Sequence, residues 1–244
     1  MKLALIIPCY NEENRLDSQV FLDFSLANSN IDLWFVNDGS TDKTLDLLQI
    51  LINKNRDQLY LHSLKNNQGK AEALRETILK IGSLNKYQNI GFIDADLATP
   101  LNETLFFLDE MKKNSGLLIT AGCRINIVGK NVTRKPIRHY LSRIFVTYYF
   151  QFLKIPNYDA QCGIKLFESN FAIQLFEKPF ISKWMFDIEF FVRAMKILGK
   201  EKYQLQIKEI PLNNWSEKDG SKLRIASFLL APLEVIKIYF KYKS

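Results

Sequence analysis

The first half of the chain alternates short β-rich apolar runs with stretches of helical spacing. Strands are expected at Leu3–Pro8, Leu33–Asn37, Leu59–Leu64, Ile90–Asp94 and Leu117–Ala121, and helices over Glu13–Leu26, Lys43–Asn53, Lys70–Ile81 and Asn102–Lys113. Such alternation predicts an α/β fold with a mostly parallel sheet. The first, second and fourth strands each run directly into a cluster of polar residues. Ligands of open α/β sheets bind beyond the carboxyl ends of the strands, so these clusters are expected to share one crevice.

The second half has a different pattern. From Arg124 to Lys154 there are seven Lys or Arg and no Asp or Glu, with Tyr140, Phe145, Tyr148, Tyr149, Phe150 and Phe152 interspersed. Ile137, Leu141, Ile144, Tyr148 and Phe152 recur at a three-to-four spacing, which predicts an amphipathic helix. A second is expected within Lys222–Ser244, with Leu229, Leu230, Leu233, Ile236 and Phe240 on one side and Lys237, Lys241 and Lys243 nearby. Either helix can pack on the core with its basic residues in water, or lie in a lipid headgroup layer.

Composition narrows the picture. At 244 residues and 47% hydrophobic, the chain suits one domain over 1–244. A net charge of +7 points to anionic partners. No helix-turn-helix, RNP or zinc pattern accompanies it, so nucleic acid is not expected. Cys9, Cys123 and Cys162 lie far apart and form no CxxC, and the histidines are His62 and His139. A zinc site or disulfide framework is not expected, and a reducing cytoplasm is. The opening MKLALIIPCYNEE reads as a buried strand rather than a signal peptide. The longest uncharged apolar stretches, Ile144–Leu153 and Ile225–Leu233, reach about half of the roughly 20 residues needed to span a bilayer.

Four constellations carry chemistry. Asp94-Ala95-Asp96 follows the fourth strand; two carboxylates there can share Mg²⁺ or Mn²⁺ together with substrate phosphates, or cap the next helix. Pro8-Cys9-Tyr10-Asn11-Glu12-Glu13 follows the first and can sandwich a base, or begin a helix with Asn11 as cap. Asn37-Asp38-Gly39-Ser40-Thr41-Asp42 follows the second, either as a ligand-facing turn or as a turn and cap. It is not GxGxxG, so a nicotinamide or flavin fingerprint is absent. Asn66-Asn67-Gln68-Gly69-Lys70 opens the third helix, where free amides and Lys70 would favour an anion.

With these motifs the chain resembles the family 2 glycosyltransferases of GT-A fold. Within them it is most similar to the polyprenyl-phosphate sugar transferases of the dolichyl-phosphate β-glucosyltransferase type. IIPCYNEE, VNDGSTDKT, NNQGKAEALR and DADLATP carry the broad likeness; DAQCGIKLF (Asp159–Phe167), KWMFDIE (Lys183–Glu189) and NNWSEKDGSK (Asn213–Lys222) narrow it. The resemblance implies that residues 1–123 bind the nucleotide-sugar, while 124–244 bind the acceptor and face the membrane. Pro8, Tyr10, Glu12 and Asp38 would contact base and ribose, with Lys70 near them. Asp94 and Asp96 would flank Mg²⁺ or Mn²⁺. Arg124, Arg134 and Arg138 would meet the acceptor phosphate; Gln161, Lys165 and Trp184 would shape the sugar pocket, with Asp187 beside them. Mannose synthases of the group often carry Gln two residues after the acids; Ala98 stands here.

The expected reaction is inverting transfer of a hexose, glucose favoured, from a UDP-sugar to polyprenyl or dolichyl phosphate, with Asp96, Asp187 and Arg124 at the reacting centre. A lipid monophosphate is already ionised and attacks without a strong general base, whereas Asp187 could serve as base toward a hydroxyl acceptor or be an ordinary buried carboxylate. Two alternatives stand beside this one: transfer to a glycan hydroxyl in cell-surface polysaccharide synthesis, and a non-catalytic domain that docks membranes or partners. The expected location is peripheral, at the cytoplasmic face of a membrane, with a membrane-protein partner as one means of anchoring.

Overall fold

The computed structural model describes residues 2–133, 146–218 and 225–243, with the side chains of 225–230 left aside. Seven strands form the main sheet in the order β3-β2-β1-β4-β7-β5-β8. They are β1 (Leu3–Cys9), β2 (Ile31–Asp38), β3 (Leu59–Leu64), β4 (Asn89–Ile93), β5 (Ile119–Cys123), β7 (Ile164–Glu168) and β8 (Ile207–Pro211). All neighbours are parallel except β7, which runs antiparallel between β4 and β5. A two-stranded ribbon pairs β6 (Asn131–Thr133) with β9 (Asn214–Ser216).

Alternation along the strands sorts the side chains into two cores. Leu3, Leu5 and Ile7 of β1 face one side, and Ala4 and Ile6 the other. The first side is covered by α1 (Ser18–Ala27), α2 (Thr44–Ile52) and α4 (Glu103–Lys113) through Phe21, Phe24, Leu48, Leu51, Phe107, Leu108 and Met111. The second carries α3 (Lys70–Gly82), α6 (Ser169–Phe176), α7 (Phe186–Gln206) and α8 (Ile225–Tyr242), with α5 described over 146–153. The expected strands and helices of the first half are present, with β3 as expected and the other ends shifted by at most five residues.

Two local expectations change. The first helix begins at Ser18, with the Asp17 carboxylate accepting from the Val20 amide; Asn11 is not its cap. Asn11 instead has φ 50 in a loop tied to the one after β2, so Glu12 and Glu13 belong to the crevice rather than to a first helical turn. In α8, Ala231, Val235 and Ile238 are buried, while Leu233 and Phe240 are 55% and 70% exposed. Of the apolar stripe expected on this helix, Leu233 and Phe240 therefore face outward and Ile236 is half-buried; Leu229 and Leu230 lie outside the described side chains. Tyr242 anchors the helix to α7, its hydroxyl accepting from Arg193 Nε and donating to Glu189 Oε1 at 2.9 Å each.

Candidate active site

Parallel pairing of β1 with β2 sets Cys9 opposite Asn37, which brings the loops that follow into contact. The Asn11 amide donates to Ser40 Oγ at 3.1 Å, the Glu12 amide to Thr44 Oγ1 at 2.7 Å, and the Thr41 amide to Asn11 Oδ1 at 2.9 Å. Gly39, at φ +61, touches the loop before α3 so closely that a Cβ would stand 2.4 Å from Asn66 C and Asn67 N. Only glycine fits that turn and approach. The four polar clusters thus line one rim, with Pro8 and Tyr10 half-buried in it and Glu12 buried.

At the opening of α3 the structure corrects the sequence reading. The amides of Gln68 and Gly69 donate to Asp38 Oδ1 and Oδ2 at 2.8 and 2.9 Å. The anion at this helix N-terminus is the chain's own carboxylate, and Asp38 acts there as a staple between β2 and α3. Lys70 turns away to Asp94, its Nζ 2.5 Å from Oδ1. Burial alone would lower the Lys70 pKa, but Asp94, Asp187 and Asp96 together raise it. The ammonium also lies 5.3 and 5.7 Å from the ring centres of Phe92 and Phe186.

Asp96 sits in a tight turn made by Leu97 at φ 54, an uncommon conformation for a bulky residue and one that clusters at functional sites. Its Oδ1 accepts from the Ala98 amide at 3.0 Å and its Oδ2 from Arg15 Nη2 at 3.2 Å. Arg15 also reaches Glu12, with Nε 3.5 Å from Oε2. Asp94 Oδ2 rests against Gly163, where a Cβ would lie 2.2 Å away. No group of three or more His, Cys, Asp or Glu is arranged around a metal position among the described residues. The donor set is thus two half-buried carboxylates, each facing a protein cation. That suits a hard divalent ion completed by phosphate and water oxygens.

The part of the crevice expected to meet the acceptor is built by β7 and α7. Lys165 is fully buried and donates to Asp187 Oδ1 at 2.6 Å, with the ring centre of Phe92 5.2 Å away. Gln161 Nε2 lies 3.7 Å from Met185 Sδ, and Trp184 packs half-buried on the core. Arg124 grips Asp159 with Nε and Nη2 at 2.7 Å each and with its backbone amide at 2.9 Å, while its guanidinium stands 5.5 Å from the ring centre of Trp215. Burial opposes the Arg124 charge, but Asp159 more than compensates and drives the pKa upward. The Asp159 amide in turn donates to Glu209 Oε1 at 2.9 Å. Burial raises the Cys162 thiol to about 11, so it is inert there. Arg134 and Arg138 lie outside the described residues.

Sequence reasoning missed Arg15, Gly163 and Glu209. Arg15 had a signal, as the lone cation in the acidic run Asn11–Asp17. Gly163 stood inside the motif DAQCGIKLF without a role of its own, and Glu209 had no signal, since the importance of both comes from partners far away in the chain.

Comparison with known proteins sets this site in context. The family described as Glycosyl transferase family 2 matches residues 4–176. The chain is 32% identical to the dolichyl-phosphate beta-glucosyltransferase of Dictyostelium discoideum, covering 98% of this chain and 74% of that one. It is 30% identical to the enzyme of that name from Saccharomyces cerevisiae, over 92% and 70% of the two chains. It is 28% identical to the one from Homo sapiens, over 91% and 69%. Glucosyl-3-phosphoglycerate synthase from Mycobacterium tuberculosis, crystallised with Mn²⁺, UDP-glucose and phosphoglyceric acid, superposes with a TM-score of 0.69 at 16% identity, covering 99% of this chain and 79% of that one. At that identity the likeness is one of fold.

Proposed function

The chain belongs to glycosyl transferase family 2 and is a glycosyltransferase of GT-A fold, and from that premise we propose that it transfers glucose from UDP-glucose to a dolichyl or other polyprenyl phosphate with inversion. Relatives of 27–32% identity over nearly the whole chain bear the name dolichyl-phosphate beta-glucosyltransferase, which supports glucose and the lipid phosphate. The observation that carries the reading is Lys70, which pairs with Asp94 at 2.5 Å after β4 and lies 5.7 Å from the Phe186 ring at the start of α7, so that the donor and acceptor sides would share one crevice.

Asp94 and Asp96 would hold Mg²⁺ or Mn²⁺. When bound, the ion neutralises the charge that develops on the departing diphosphate. Pro8, Tyr10, Glu12 and Asp38 frame the base and ribose, Asp38 chiefly by holding the loop that closes them in. Arg124, with Arg134 and Arg138, draws the acceptor phosphate into line. Gln161 and Trp184 border the hexose. Lys165 has a different part: it neutralises Asp187. Asp187 Oδ1 is committed to a buried ammonium 2.6 Å away, which leaves it less available to a hydroxyl acceptor. That favours an acceptor needing no deprotonation, namely a phosphate, over a glycan hydroxyl.

We place the enzyme peripherally on the cytoplasmic face, where nucleotide-sugars are supplied. No helix among the described residues is long and apolar enough to cross a membrane. The outward Leu233 and Phe240 of α8, beside exposed Lys237, Lys241 and Lys243, suit an anionic headgroup layer. A membrane-protein partner would add a second hold.

The test is transfer of radiolabelled sugar from UDP-glucose, with GDP-mannose in parallel, to polyprenyl phosphate in detergent with Mn²⁺ or Mg²⁺. Asp96→Ala protein is the blank. Metal-dependent, acid-labile label in the organic phase from UDP-glucose is the expected result. Nucleotide binding with no lipid product would move the acceptor to a glycan, and no nucleotide binding at all would overturn the enzyme reading.

A further inference from the structure

We propose that Arg15 is the gate charge of the metal site: it holds Asp96 until the donor diphosphate arrives, so that a divalent cation binds only together with the nucleotide. This rests on the reading of Asp94 and Asp96 as the metal ligands.

The argument begins with charge. Asp94 and Asp96 carry two negative charges, and Lys70 and Arg15 answer them with two positive ones, at 2.5 and 3.2 Å. With Glu12, which shares Arg15 at 3.5 Å, the five groups carry one net negative charge, a weak pull on a bare divalent ion that must compete with Arg15 for Asp96. Both Asp96 oxygens are already engaged, Oδ1 by the Ala98 amide and Oδ2 by Arg15. Each oxygen keeps a second lone pair, so what opposes a cation at Asp96 is the Arg15 charge 3.2 Å away unless the guanidinium is displaced, and the ion adds two positive charges beside Lys70. A nucleoside diphosphate brings at least two negative charges, which restores the balance and gives the displaced guanidinium an anion of its own.

Arg15 is built for this exchange. Its guanidinium spans from Glu12 on the nucleotide loop to Asp96 on the metal loop, positions 81 residues apart in the chain for the Arg15–Asp96 bond. Both side chains of that pair are about a quarter exposed, so the bond can open without unfolding its surroundings. The backbone turn from Glu12 that carries Arg15, with the Arg15 amide donating to the Glu12 carbonyl at 2.9 Å, stays closed while the side chain moves. Release at Asp96 leaves Arg15 on Glu12, so metal entry is coupled to the loop that frames the base.

The experiment is Mn²⁺ binding followed by electron paramagnetic resonance, with and without saturating UDP, on wild type, Arg15→Gln, Arg15→Lys and Asp96→Asn. Thermal melts serve as a check on folding. Wild type should bind Mn²⁺ at least tenfold more tightly with UDP than without. Arg15→Gln should bind Mn²⁺ alone about tenfold more tightly than wild type and so lose most of that synergy, while Arg15→Lys, which keeps the charge, should restore it. A merely structural role for Arg15 would not raise metal affinity. Equal Mn²⁺ affinity with and without UDP in wild type overturns the proposal with no variant needed. So does an Arg15→Gln affinity for Mn²⁺ alone within twofold of wild type, provided Asp96→Asn weakens Mn²⁺ binding in the presence of UDP. If Asp96→Asn leaves that binding unchanged, the metal-ligand reading itself has failed, and the gate with it.

Discussion

Replacing Gly163 by alanine separates catalysis from folding. A Cβ there would stand 2.2 Å from Asp94 Oδ2, 2.8 Å from its Cγ and 3.4 Å from its Cβ. Gly163 is not among the residues of positive φ, so alanine suits the backbone and the whole conflict falls on one carboxylate. That carboxylate ends a short side chain that is 40% exposed, and it can swing aside by roughly 1 Å at a fold cost of about 1 kcal/mol. For a chain of this size that lowers Tm by about 2–4 °C. Catalysis pays far more heavily, because the swing breaks the Asp94–Lys70 contact and misplaces a metal ligand. A displacement of about 1 Å is enough to reduce turnover on the order of 100-fold. The assay is kcat/KM for glucose transfer, read beside the melt and the Mn²⁺·UDP affinity. Gly91→Ala is the contrasting control: its Cβ would lie 2.7 Å from the Lys165 carbonyl oxygen and 3.2 Å from Leu166 Cα, strand backbone that cannot give way. That variant should lose the fold. Gly163→Ala protein with kcat/KM within threefold of wild type and unchanged Mn²⁺ affinity would refute the placement of Asp94 in the reaction.

Four further outcomes are expected. Lys165→Met leaves Asp187 buried without its counter-charge and should cost about 3–5 kcal/mol in urea unfolding, much of it recovered in Lys165→Met/Asp187→Leu; a neutral single variant would show the pair to be idle. Gly39→Ala forces a Cβ against Asn66 and Asn67 at positive φ and should weaken UDP binding in calorimetry by at least tenfold, by parting the loops that frame the base. Glu209 is raised above the ordinary carboxylate range, chiefly by burial, so the folded state holds its proton longer than the unfolded one. Stability from this group is full below about pH 4.5 and falls as pH rises through the folded pKa; Glu209→Gln should flatten that fall in unfolding curves taken across pH. Leu233→Glu/Phe240→Glu on the exposed stripe of α8 should leave Tm within about 2 °C yet abolish sedimentation with anionic vesicles, and retained sedimentation would remove α8 from the membrane contact.

Local pattern was informative wherever one element explained itself. The alternation of β1 and the spacing of α3 read directly as strand and helix, and polar residues at strand ends marked the crevice. It failed where an element's role depended on distant partners. The segment Ile164–Glu168 was legible as part of a motif but not as a strand, and it is the reversed β7 that carries Lys165 into the site and sets Gly163 against Asp94. Lys70 and the α3 amides read as an anion site; Asp38 and Asp94, contributed by two other strand ends, fill that part instead. On α8 the apolar residues form more than one stripe, and packing on α7 decides which faces inward.

By itself, the sequence determines the strands and helices of the first half, the polar clusters at their ends and the family, because periodicity, turn residues and motifs act over short spans of chain. Tertiary structure alone decides the pairing of charges: Arg15 with Asp96 across 81 residues, Arg124 with Asp159 across 35, and Lys165 with Asp187 across 22. The physical reason is that an ion pair depends on distance and burial in space, and these follow from strand order and loop approach, which no local pattern encodes.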